Sequence, residues 1–428
     1  MSGVTVGAVA AGSAAVRRRG REISWRVKVR TRLAAVGVAL TCLALPVAVA
    51  TPAAADPGTF AYVLGNITGV GFGVAQIDTA TNQPTANNFE VTGATDVAVS
   101  PDGRRIYVSQ STNAVSVWDA TADPPTLINT INLTGAPESL AVSPDGRYVY
   151  TANTSSNTVS VIDTTDNSVT DIALTGTPRR LAVSPNGRYV YTANTSSNTV
   201  SVIDTTDNNV TDIPYVDADV LSVAVSPSGT RLYVGIGTQL SETDTVSVID
   251  TATNTEVDSI DLAGSDAYPH ALVVSADGER LYTANLGTSS VSVIDTATNT
   301  VATDIALTTP PADVAITPDD TRVYTTDTGT PLHPDTVTAI DTLTETVIDT
   351  FPTNALFPTS MAVAAVPGTA TAQCPDATVL TGGGFEITGP FPNYFNSKPV
   401  INDTWQISGT NPTTQTNTLT PQAVCGTG

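Results

Sequence analysis

The chain has 428 residues, with 18 basic and 40 acidic side chains, a formal net charge of −22, two histidines and three cysteines. That excess of negative charge repels nucleic acid and anionic lipid and favours cations, basic partners or simple solubility. Two histidines are too few for a multi-histidine copper centre, and no Cys-x-x-Cys-His run is present to attach haem covalently.

Residues 1–55 read as a secretory signal peptide: a basic run from Arg17 to Arg32, an apolar stretch from Leu33 to Ala50, and Ala53-Ala54-Ala55 ahead of Asp56. Arg17-Arg18-Arg19 invites a twin-arginine export reading but no apolar pair follows at short spacing, so general secretion is favoured with twin-arginine export as the alternative, and Cys42 leaves with the leader. The remainder carries 10 basic against 39 acidic residues, a net charge of −29, with Lys398 its one lysine. It contains no second apolar run of about 18 residues, so no membrane span is expected in the mature chain. The expected product is a secreted monomer, released or retained at the cell surface.

From residue 56 to 368 the chain repeats. Ala141 to Ile172 returns at a shift of 41 as Ala182 to Ile213, and only Asp145/Asn186 and Ser168/Asn209 differ. A period near 40 marks an array whose units bury their apolar faces against each other. Within each unit, four short β-branched runs (VAVSPDG, RYVYTAN, NTVSVIDT, SVTDIAL) alternate with period two and are separated by turn residues, which predicts four strands per unit. Pro-Asp-Gly makes the first turn and Asp-Thr-x-x-Asn the second. The second turn's aspartates are Asp78, Asp119, Asp163, Asp204, Asp250, Asp295 and Asp341, and repetition at one turn makes them turn formers rather than catalysts.

The inner-strand signal occurs seven times, starting at Val97, Leu140, Leu181, Val223, Leu272, Val314 and Met361. The first unit opens on its second strand, at Phe60 to Leu64, while the last stops after an inner strand, at Ser360 to Val366. Pairing of residues 358–366 beside 60–64 would complete one blade from both ends of the array and close the ring without a free edge. The expected fold is all-β, a seven-bladed β-propeller closed by its C-terminal inner strand.

SPDGRYVYTANTSSNTVSVIDTTDN resembles the YVTN-type propeller repeat, whose eponymous run appears as Tyr150-Thr151-Ala152-Asn153 and Tyr191-Thr192-Ala193-Asn194. The resemblance implies a seven-bladed propeller like those of archaeal surface-layer proteins, lactonases and the N-terminal domain of nitrous oxide reductase; it fixes a fold and not a function. Residues 369–428 break the pattern and predict a small β domain stapled by a Cys374–Cys425 disulfide. That segment resembles the cysteine-bracketed C-terminal modules of secreted actinobacterial proteins. Asn132 and Asn153 open Asn-x-Ser/Thr triplets.

Propellers bind at one end of the axial channel. The two positions ahead of each inner-strand aliphatic residue reach that end, and there the repeats diverge: even the twins replace Glu138-Ser139 by Arg179-Arg180. Asp96, Glu138 and Asp313 could supply oxygens to Ca²⁺, while Arg179, Arg180 and His270 could hold an anion. The competing reading is a rim of solvated charges with a weak Glu138–Arg179 pair. The longer loops at 237–244 and 327–335 add Glu242, Asp244, His333 and Asp335 to the same end. The sequence favours a non-catalytic scaffold that binds a protein or cell-envelope ligand without a cofactor. The alternative is a lactonase-like hydrolase or lyase with a divalent cation at the rim.

Overall fold

The computed structural model describes residues 58–67, 71–216, 218–238, 243–328, 336–352, 355–356 and 358–366, together with five strands between 369 and 426. The signal segment, His333, Glu242, Asp335 and Cys374 lie outside the described residues. Seven blades form a ring. Six are four-stranded antiparallel sheets with inner strands Ala94–Val99, Pro137–Val142, Pro178–Val183, Ala218–Val225, Pro269–Val274 and Pro311–Ile316, numbered blades one to six below. The closing blade draws on both ends of the array. Met361–Ala365 pairs antiparallel with Thr59–Ile67, Val63 opposite Met361 and Thr59 opposite Ala365, and Gly71–Asp78 follows. The closure expected from the partial units, residues 358–366 beside 60–64, is therefore present.

Each core lies between blades, because a four-stranded sheet presents an apolar face that only its neighbour can cover. Tyr150, Ala152, Val159 and Ile172 of blade two cluster with Leu181, Val190 and Ile203 of blade three. Ala61 and Val63 of the closing blade meet Tyr324, Val337 and Phe351 of blade six. The last junction carries an extra latch: the Tyr324 hydroxyl donates to Asn82 Oδ1 at 2.9 Å, and Arg322 donates to the Thr79 carbonyl. Tyr324→Phe should cost about 1 kcal/mol, the usual net value of one such bond. An unchanged urea midpoint would show the Tyr324 bond to be idle.

The turn aspartates behave as expected. Asp163, for example, accepts from Thr165 N at 2.9 Å and from Thr165 Oγ1 at 2.5 Å, and the other six take equivalent bonds from their own turns. Hydrogen bonds from the threonine hydroxyl and backbone N–H hold the Asp163 and Asp204 carboxyls below the usual range. In the first turn, Gly146 and Gly187 take φ of 72° and 70°. Blade six has Asp320 there, at φ 57°, and its carboxylate accepts from Ala276 N and Asp277 N of blade five, at 2.8 and 3.1 Å. A bond to the neighbouring blade thus offsets the strain that glycine avoids elsewhere.

Asn153 closes the second strand of blade two and is fully buried, which removes it as a sugar acceptor in the folded chain. Its Oδ1 accepts from Thr151 Oγ1, and its Nδ2 donates to Thr158 Oγ1 and Ser160 Oγ. Asn194 and Asn285 repeat the arrangement. Blade six departs from it with Asp327.

Beyond the ring, Thr404–Thr410 pairs with both Thr369–Gln373 and Tyr394–Val400, and Val379–Thr388 pairs with Thr418–Gly426. Cys425 lies on the last of these strands, and its expected disulfide to Cys374 falls outside the described residues. Among the described residues no helix is long and apolar enough to cross a membrane.

Candidate functional site

The inner strands all start at one end of the ring, so their first residues surround one channel mouth. Arg180 of blade three crosses that mouth to blades five and six, on the far side of the ring. Its Nη1 lies 3.6 Å from Asp313 Oδ1, and its Nη2 is 3.5 Å from the Ala312 carbonyl oxygen. The same nitrogen lies 3.2 Å from His270 Nδ1. That Nδ1 stands 2.6 Å from the Ala312 carbonyl, an acceptor only, so Nδ1 carries the proton and donates it there. Arg180 therefore approaches His270 without a hydrogen bond to it, and the proton-free ring nitrogen is Nε2. Burial, followed by the Arg180 charge, pushes the His270 pKa down to about 4, so the imidazole is neutral at physiological pH. Tyr268 stacks beside His270, with centroids 6.3 Å apart and planes 17° apart. Nothing in the repeat pattern singles out Tyr268.

Asp96 and Asp313 are both 7% exposed. Asp96 accepts from Val97 N at 2.9 Å, from Leu140 N of blade two at 2.8 Å, and from the Ser360 hydroxyl of the closing blade. Asp313 accepts from Val314 N at 3.0 Å and from Met361 N of the closing blade at 2.9 Å. Both carboxylates thus fasten the inner strand of one blade to the next. Burial raises the Asp96 pKa, opposed by the Arg180 charge and reinforced by Asp313. Glu138 and Arg179 form the expected surface pair at 3.0 Å, about half exposed, and such a pair contributes under about 1 kcal/mol.

All six rim residues therefore stand at one mouth, but they do not form the expected cation site. Among the described residues no three carboxylate, histidine or cysteine side chains gather closely enough to hold a metal. The reason is local: Asp96 and Asp313 are engaged by backbone N–H groups, Arg180 and Ser360, while Glu138 is turned to Arg179. The set Asp96, Glu138 and Asp313 thus does not fit Ca²⁺, which needs six to eight oxygens converging at about 2.3–2.6 Å. Asp244, expected to serve recognition, is 1% exposed and accepts from Tyr268 N at 2.6 Å.

Residues 66–170 match the family described as Lactonase, 7-bladed beta-propeller. No curated protein matches the chain. Among solved structures, a putative 6-phosphogluconolactonase from Bacteroides uniformis is 20% identical, covering 72% of this chain and 100% of its own, with a TM-score of 0.58. A second putative 6-phosphogluconolactonase, from Bacteroides fragilis, is 18% identical, covering 73% and 100%, with a TM-score of 0.57. The hydrazine synthase of Kuenenia stuttgartiensis is 21% identical, covering 71% and 99%, at 0.56. At these identities the likeness is one of fold.

Proposed function

We propose that the channel mouth hydrolyses a lactone, with Arg180, His270 and Asp313 as its working residues. The carrying observation is that one guanidinium, reaching across the channel, meets a neutral imidazole and a buried carboxylate. Water adds to the lactone carbonyl, the ring C–O bond breaks, and the released alkoxide takes a proton to give a hydroxy acid. In this scheme His270 Nε2 takes the proton from the attacking water and returns it to the leaving oxygen. Arg180 stabilises the negative charge that develops on the carbonyl oxygen. Asp313 positions Arg180. Arg179, one residue before Arg180 and held only by an exposed pair with Glu138, is available for an anionic group elsewhere on the substrate.

The family match supports this alternative over the scaffold reading reached from sequence. No step is routed through a divalent cation, since the carboxylates do not gather. Export by residues 1–55, release or surface retention, a monomeric state and the Cys374–Cys425 disulfide belong to the same proposal. The scaffold, with a protein or cell-envelope ligand, remains the reading to which a negative assay returns.

The test is hydrolysis of 6-phosphogluconolactone and of glucono-δ-lactone, each corrected for spontaneous opening. Arg180→Ala and His270→Ala should each lower kcat/KM by about 100-fold or more, the scale of losing an oxyanion donor or a general base. The wild-type kcat/KM should fall as pH drops through about 4, where His270 gains its proton, and should stay flat toward neutrality. A wild-type rate no higher than buffer on both lactones would overturn the proposal.

A further inference from the structure

At the opposite end of the ring, a groove of about 540 Å³ lies between the two near-identical blades, two and three. Its volume falls within the range of about 300–1,000 Å³ usual for small-ligand sites. One wall carries Tyr148 and Tyr150 of blade two, with ring centroids 6.3 Å apart, and the other is built from the turns of blade three, including Asn186 and Asn208. Tyr150 is 2% exposed, yet no hydrogen bond contributes to its hydroxyl's raised pKa, and among the described residues that hydroxyl has no partner. The hydroxyl itself is not enclosed, so it can be met by solvent or by a ligand that enters the groove.

The rest of the lining is similarly half-committed. Asp145, exposed on the groove's edge, accepts through Oδ1 from Ser143 Oγ and Arg147 N, at 2.6 and 3.0 Å, and its Oδ2 takes no hydrogen bond among the described residues. Asn186 Oδ1 accepts from Ser184 Oγ and Arg188 N, at 2.8 and 3.0 Å, which leaves its amide nitrogen as a donor. Arg147 pairs with Asp163 at 3.4 Å while its guanidinium lies over the Tyr148 ring, 5.1 Å from the centroid, and Arg188 pairs with Asp204 at 3.2 Å. A carboxylate acceptor, an amide donor, tyrosine rings and no unpaired positive charge suit a ligand with hydroxyl groups and apolar C–H faces and no negative charge. The net negative charge of the mature chain further disfavours an anionic ligand.

We propose that this groove binds a neutral oligosaccharide. The site shares no residue with the channel mouth, so it stands or falls independently of the lactone chemistry. The experiment is calorimetric titration of the folded protein with cello-, malto-, laminari- and chitohexaose, each separately. At least one should bind saturably. Tyr148→Ala and Asp145→Asn should weaken that binding at least tenfold. Asp145→Asn reproduces the residue the twin blade carries at Asn186, where the same turn bonds form, so its fold is secure. Tyr189→Ala, the same substitution one blade on and outside the groove, should leave the affinity unchanged. No binding by any of the four sugars would overturn the proposal. So would equal weakening by Tyr148→Ala and Tyr189→Ala, or binding insensitive to both groove variants but lost in Arg180→Ala.

Discussion

Asp96→Ala should lower the unfolding free energy by about 3 kcal/mol or more at neutral pH, the range for emptying one side of a buried, hydrogen-bonded charge cluster. Truncation leaves the N–H groups of Val97 and Leu140 and the Ser360 hydroxyl without an acceptor, and these belong to three successive blades around the ring. The loss therefore falls on ring closure as well as on blade one. Asp96→Asn keeps one acceptor oxygen but turns an N–H toward at least one donor, so it should fall between Ala and wild type. Urea denaturation of the three proteins checks the order. If Asp96→Ala unfolds at the wild-type midpoint, Asp96 is not a fastener and its place at the mouth requires a functional explanation. Glu138→Ala, which removes only an exposed pair, should shift the midpoint by less than about 1 kcal/mol.

The contrast between Asp96 and Glu138 shows where the sequence stops being informative. The ring, its closure and the turn aspartates were legible because they repeat: a position that recurs at a period near 40 has one environment, and its chemistry can be inferred once for all blades. The register also gave the divergent residues a common position, ahead of the inner strands. It could not say which way they face. Asp96 is satisfied by Leu140, 44 residues on, and by Ser360, 264 residues on, a contact that exists only once the ring has closed. Without those donors Asp96 looks like a cation ligand; with them it is a joint between blades. His270 shows the same limit, since its proton is placed by the Ala312 carbonyl, 42 residues away. Asp320 and Asp327 stand where the repeat breaks, in TPDD for SPDG and YTTD for YTAN, a signal the sequence reading did not use, and only the neighbouring strands reveal what each break does.

Asp327→Asn should make the protein more stable near neutral pH by about 2–3 kcal/mol, the scale of a displacement of about two pKa units. In blades two, three and five the equivalent Asn is an acceptor through Oδ1 and a donor through Nδ2. Asp327 can only accept when ionised, so the hydroxyls around it turn inward: Thr325 at 2.7 Å on Oδ1, Thr336 at 3.2 Å and Thr338 at 2.5 Å on Oδ2. No cation accompanies the charge among the described residues, and burial pushes its pKa up to about 6, outweighing the three hydroxyl bonds. Because the folded state holds its proton to higher pH than the unfolded state, Asp327 contributes full stability below about pH 4. That contribution is lost as pH rises through about 6. The substituted amide carries no charge. Thr338 lies 3.2 Å from Thr350 Oγ1, to which it can donate once that amide donates to it, as Ser160 donates to Asp171 in blade two. Wild type and variant should therefore melt together near pH 4 and diverge toward pH 7, with the variant higher. Taking the difference between the two proteins cancels the opposite slope from the exposed turn carboxyls, whose pKa values are lowered. Parallel melting curves across that range would show that Asp327 keeps an ordinary pKa in the folded protein.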